Sequence, residues 1–176
     1  DENKRIIKEK IEDTRRLGWS EIYGLLHLIN SASSDDYSVE YIDKIIKECI
    51  QNIPVRNYLS GYLSVAYCDL LIASLSFLSR SGYYELVEDL CKQTLNIFKG
   101  LILLINREKY YIDVTEILAR VYLYQNKEEG IELVNKVLKY RNTLAENINN
   151  PLFKQKLETS YNNFCEVNKT GIEFEF

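Results

Sequence analysis

Six residues of one apolar stretch, Tyr62, Ala66, Asp69, Ala73, Ser76 and Arg80, follow one another at spacings of 4, 3, 4, 3 and 4. That rhythm places them on one stripe of a helix. A carboxylate, a guanidinium and two hydroxyls are the chemistry available there. It is the chemistry of hydrogen bonding and charge pairing rather than of bond making. Asp69 is the sharpest feature, because it interrupts the most apolar run and a buried unpaired carboxylate is costly. It either pairs internally, with Arg80 or Arg120 through water, or lines an open groove, or faces solvent. Further along, Asp113, Glu116 and Arg120 also share one helical face. The expected partner groove therefore runs over Tyr62, Asp69, Ser76, Arg80, Asp113, Glu116 and Arg120.

Catalytic chemistry has little to stand on. The single histidine, His27, sits among Leu25, Leu26, Leu28 and Ile29, and a general base needs a placed partner that the sequence does not supply. No nucleophile elbow, phosphate loop or zinc-binding H-E-x-x-H occurs. Asp36, Glu40 and Glu48 read as helix starts or solvated faces. No catalytic residue, metal ligand set or cofactor site is expected, and the chain does not read as an enzyme. The four cysteines, Cys49, Cys68, Cys91 and Cys165, stand singly without a C-x-x-C pair, so reduced, buried, structural thiols are expected. Asn168-Lys169-Thr170 is an isolated sequon, read as chance. The 14 tyrosines suit both helix packing and adaptable recognition surfaces, although an A+T-rich genome produces the same bias.

The elements that position these residues are read from composition and periodicity. With 176 residues, 46% apolar and 27% charged, the chain can build one domain with a substantial core. A net charge of −4 argues against a nucleic-acid footprint. Its longest purely aliphatic run, Leu101–Ile105, is too short to span a bilayer, and no leader opens the chain, so a cytoplasmic domain without membrane contact is expected. The absence of methionine suggests a piece of a longer protein.

An all-α chain follows. Residues 3–16 form a charged helix with Ile7 and Ile11 as its apolar stripe. Ser20 caps a helix running to Ser31 with Ile22, Leu25, Leu26 and Ile29 inward. After the polar SASSDD turn, Val39, Ile42, Ile46, Cys49 and Ile53 recur at helical spacing, and Pro54 is expected to end that helix. The long hairpin 57–105 turns at Gly82, its second arm presenting Leu86, Leu90, Ile97, Leu101 and Leu104. A third hairpin, 110–145, joins through QNKE. Asn150-Pro151 opens a capping helix over 151–167, with Phe153, Leu157, Tyr161 and Phe164 along one side, closed by Gly171. Residues 171–176 alternate strictly and form an extended or disordered tail able to dock on a second copy.

The second arms of hairpins 20–53, 57–105 and 110–145 repeat one pattern: Tyr41, Ile45, Cys49; Val87, Cys91, Leu95; Gly130, Val134, Leu138. Ala73 and Ala119 are 46 residues apart, Gly82 and Asn126 are 44. Fixed-period helical hairpins are the mark of a stacked solenoid. With Leu118-Ala119, Tyr122, Gly130, Val134 and Val137-Leu138, the third unit resembles the tetratricopeptide-like repeat. The period is longer than the usual one, and no tryptophan opens a unit. The resemblance implies antiparallel hairpins stacked as an α-solenoid over residues 1–170, and a concave face that binds a protein or peptide segment. It also implies an alternative, the ligand-sensing part of a peptide-responsive bacterial regulator with its effector upstream.

Overall fold

The computed structural model describes residues 17–34, 36–59, 61–101, 103–147 and, beyond these, 151, 152, 155, 159 and 162. The helix expected over 3–16, Cys165, most of the capping helix and the 171–176 tail lie outside the described residues. Those described are helical, and no strand occurs among them. The main elements are α1 (Trp19–Asn30), α2 (Val39–Leu59), α3 (Gly61–Arg80), α4 (Tyr84–Gly100), α5 (Arg107–Tyr124) and α6 (Glu129–Asn147). The chain forms two compact units, Asp1–Val114 and Thr115–Phe176, the division falling within α5.

In the first unit α3 is the centre. It packs chiefly on α2 and α1 and more lightly on α4. Twelve of its 20 residues are buried, which is the pattern of a helix enclosed by others rather than amphipathic. By length and composition α3 is also apolar enough to cross a bilayer, a property that the short aliphatic runs of the sequence concealed. The core facing it comes from Ile22, Leu25 and Ile29 of α1 and from Ile42, Ile45, Ile46, Cys49 and Ile53 of α2, none more than 4% exposed. Each such side chain contributes about 1.5–3 kcal/mol by leaving water. Cys49, Cys68 and Cys91 are free and buried.

Three expected boundaries are corrected. Pro54 does not end α2, which continues to Leu59. Proline removes the N–H that would donate to the Ile50 carbonyl and crowds that carbonyl with its ring, yet a helix kept in place by buried isoleucines on one face can absorb the cost. Ser20 does not cap α1; the helix begins at Trp19 after Gly18, with no side-chain cap. The second arm of the long hairpin stops at Gly100 rather than at Ile105. Leu101 and Leu104 turn inward, 7% and 4% exposed, while Leu103 and Ile105 stand out at 77% and 43%. Two four-residue turns carry the chain on, Leu104 N–H to Leu101 carbonyl and Arg107 N–H to Leu104 carbonyl, both 3.1 Å. Of the expected inward seam Leu90, Leu101 and Leu104 are buried, while Val87 and Phe98 take the places of Leu86 and Ile97 in the buried set of α4. That set is Val87, Leu90, Cys91, Thr94 and Phe98, with Leu86 and Ile97 only half-buried.

The second unit packs Ala119 and Leu123 of α5 against Val134 and Leu138 of α6. Gly130 lets the backbones close, since a Cβ there would stand 2.9 Å from the Leu123 nitrogen and 3.1 Å from the Ala119 oxygen.

The turns after α3 and after α5 use the same hydrogen bonds. Gly82 N–H donates to Ser79 at 3.2 Å and Tyr83 N–H to Leu78 at 3.1 Å; Asn126 N–H donates to Leu123 at 3.0 Å and Lys127 N–H to Tyr122 at 2.8 Å. This is the Schellman helix ending, and its pivots are left-handed, with φ of 84° at Gly82 and 56° at Asn126. The pivots fall 44 residues apart, a spacing that sets Ala73 against Ile117 rather than Ala119. Gly82→Ala is expected to cost about 1–2 kcal/mol in urea unfolding, because alanine is strained there. Asn126→Gly should be neutral or stabilising by about 0.5 kcal/mol.

Candidate functional site

Although α3 is enclosed, one line of it is not fully covered. Tyr62, Val65, Asp69, Ile72, Ser76 and Arg80 are its half-buried or exposed positions at helical spacing. The four polar or aromatic residues expected on the stripe, Tyr62, Asp69, Ser76 and Arg80, all lie on this line. The two expected alanines do not: Ala66 is 1% and Ala73 is 7% exposed. Positions 66 and 73 lie to one side of this line and 65 and 72 to the other, and the packing of the neighbouring helices covers the alanine side.

Asp69 is paired, but not with an arginine. The hydroxyl of Tyr110, at the start of α5, donates to Asp69 Oδ1 at 3.0 Å and lies 3.5 Å from the Val65 carbonyl. The Tyr110 ring is 2% exposed and sits at a tilt against Phe98, centroids 6.4 Å apart. Burial, the Asp69 charge and the bond to Asp69 together push the Tyr110 hydroxyl well above the ordinary tyrosine pKa. The loop before α5 lies on the same turns of α3. Ile105 covers Gly61 so closely that a Cβ on Gly61 would meet Ile105 Cδ1 at 2.7 Å. Beyond Asp69 the line opens. Tyr62 is 75% exposed, Ser76 is half-buried and Arg80 is exposed.

The other expected stripe, on α5, consists of ion pairs made within the chain. Asp113 accepts from Lys109 at 2.8 Å. Glu116 takes Arg120 on one oxygen at 2.7 Å and Arg141 of α6 on the other at 2.6 Å, with Arg141 Nε also on that second oxygen at 3.1 Å. Arg141 was not foreseen. It lies 25 residues from Glu116, and no spacing rule joins two helices. The half-buried line of α5 repeats that of α3 at the 44-residue spacing: Lys109, Asp113, Glu116, Arg120 and Tyr124 correspond to Val65, Asp69, Ile72, Ser76 and Arg80. On α5 the line is charged and internally neutralised; on α3 it offers Tyr62, Ser76 and Arg80 outward.

His27 is exposed on α1. No group of three or more His, Cys, Asp or Glu side chains gathers among the described residues. Nearby on the same helix Trp19 and Tyr23 stack in the open, centroids 4.8 Å apart and planes within 5°.

Asp69→Asn and Tyr110→Phe should each lower stability by about 1–2 kcal/mol. Their double variant should lose clearly less than the two together, because both remove one bond; urea unfolding of the four proteins measures this. Alkaline pH tests the tyrosines. Tyr67, whose hydroxyl donates to the Leu17 carbonyl at 2.9 Å, is pushed up to about 12 by burial first and then by the Glu48 charge. Tyr110 moves in the same direction. The folded chain therefore keeps protons that the unfolded chain releases near pH 10. Stability is full below that pH and falls as pH climbs through about 12, to be followed by tyrosinate absorbance alongside unfolding.

Against protein-family models, curated proteins and solved structures, the chain finds no match.

Proposed function

We propose that this chain is a non-catalytic protein- or peptide-binding module that takes an extended partner segment along the uncovered line of α3. The observation that carries the reading is the composition of that line. In a helix otherwise enclosed by apolar neighbours, Tyr62 and Arg80 stand in solvent and Ser76 is half-buried. Tyrosine and arginine are residue types enriched where interfaces form. Asp69, tied to Tyr110, fixes the middle of the line rather than contacting the partner directly. The corresponding line of α5 supports the same division of labour, since its charges are already engaged by Lys109, Arg120 and Arg141.

The matched Schellman turns and matched half-buried lines, both at 44 residues, support repeated helical hairpins and with them the tetratricopeptide-like α-solenoid. A repeat whose outer line varies while its turns and seam persist is how such scaffolds present different surfaces. The groove is thereby narrowed to Tyr62, Ser76 and Arg80. Asp113, Glu116 and Arg120 hold the scaffold.

A random peptide library panned on the protein tests this. Enriched peptides should bind the parent protein and lose at least tenfold in affinity against the Tyr62→Ala/Arg80→Glu double variant. Thermal unfolding of that variant should match the parent, because surface changes away from packed features are mild. Failure to enrich any peptide that distinguishes the two proteins removes the reading.

A further inference from the structure

The uncovered line of α3 does not stop at Tyr62. Ile105, in the loop before α5, lies on the backbone of Gly61, where a Cβ would stand 2.7 Å from its Cδ1. That contact brings the outward residues of the loop, Leu103 and Ile105, to the end of α3 that carries Tyr62. Leu103 is 77% and Tyr62 75% exposed, the most open of the large apolar side chains among the described residues, and Ile105 is 43% exposed. The loop is held from within, because Leu101 and Leu104 are buried and two backbone hydrogen bonds close its turns. The outward pair is therefore fixed in place. Apolar side chains gathered in solvent mark a surface that meets a partner.

The far end of the same line is cationic. Arg80 is exposed and makes no ion pair among the described residues. Asp69 and Arg80 are the only charged residues of the line. Asp69 stands midway and is held by Tyr110 at 3.0 Å, so its charge repels a carboxylate laid over the middle, while Arg80 attracts one laid over the end. Tyr62 and Arg80 are about five turns apart, about 27 Å at helical rise. An extended chain covers that distance in about eight residues.

We propose, resting on the α3 reading above, that the partner is an extended segment with an apolar end and an acidic end. A large apolar side chain seats on Tyr62, Leu103 and Ile105, and an aspartate or glutamate about eight residues away pairs with Arg80.

A random library of peptides about twelve residues long, enough to span the line, is panned in parallel on the parent protein and on Arg80→Glu. Peptides selected on the parent should carry a large apolar residue and an acidic one about eight positions apart. Replacing either by alanine should weaken binding about tenfold. Selection on Arg80→Glu should keep the apolar residue and exchange the acidic one for lysine or arginine. Leu103→Ser should bind the parent-selected peptides about tenfold more weakly with its thermal midpoint unchanged, since that side chain already lies in solvent. Peptides that need Tyr62 and Arg80 but lack the acidic residue, or that bind Leu103→Ser as tightly as the parent, overturn this proposal and leave the α3 reading standing. So does a parent dimer that Leu103→Ser dissolves in analytical ultracentrifugation, because the apolar corner then meets a second copy. A library that yields no peptide distinguishing the parent from Tyr62→Ala/Arg80→Glu removes both.

Discussion

The enclosure of α3 governs what every polar group near it can do. With Leu70, Leu71, Leu75 and Leu78 at 0% exposure, water cannot serve the buried hydroxyls of Ser64, Tyr67 and Ser74, so each needs an acceptor in the protein. Ser64 and Ser74 return their hydroxyls to the Gly61 and Leu70 carbonyls, both at 2.8 Å. Tyr67 reaches Leu17, and Asp69 receives Tyr110. The last two tie α3 to segments 50 and 41 residues away. Hydrogen bonds demanded by burial thus become the tertiary ties of the first unit.

The same constraint separates scaffold from surface. Where a carboxylate of α5 is half-buried it is matched by a cation: Asp113 by Lys109, and Glu116 by two arginines. A carboxylate bearing two guanidinium groups is held from two directions, so Glu116 joins α5 and α6 with defined geometry. The i,i+4 pairs whose lysine lies in solvent, Lys109–Asp113, Lys47–Asp43 and Lys92–Glu88, contribute little by comparison with the Glu116 pairing. Against this background of matched charge, Arg80 points outward into solvent.

Much of the helical plan was legible because helix formation is local. The apolar rhythm of Ile42, Ile46, Cys49 and Ile53, the turn at Gly82 and the shared face of Asp113, Glu116 and Arg120 all follow from 3.6 residues per turn. Boundaries were less legible. Whether Pro54 breaks α2, or Gly100 ends α4, depends on how much apolar surface the flanking turns bury, and that is settled by neighbours distant in sequence. The burial of Ala66 and Ala73 was missed for a related reason. Small residues read as an open stripe, yet they are equally the residues that allow another helix to come close.

Spacing alone determined that Tyr62, Asp69, Ser76 and Arg80 share one line of one helix, since that is a property of helical pitch. It also marked Asp69 as a group in need of a partner, since apolar flanking residues predict burial. Only the tertiary structure decided which line of α3 its neighbours leave uncovered, that Tyr110 rather than an arginine satisfies Asp69, and that Arg141 completes the pairing of Glu116. Those outcomes rest on contacts between segments 25 to 41 residues apart, and such contacts are chosen by packing, which no local periodicity encodes.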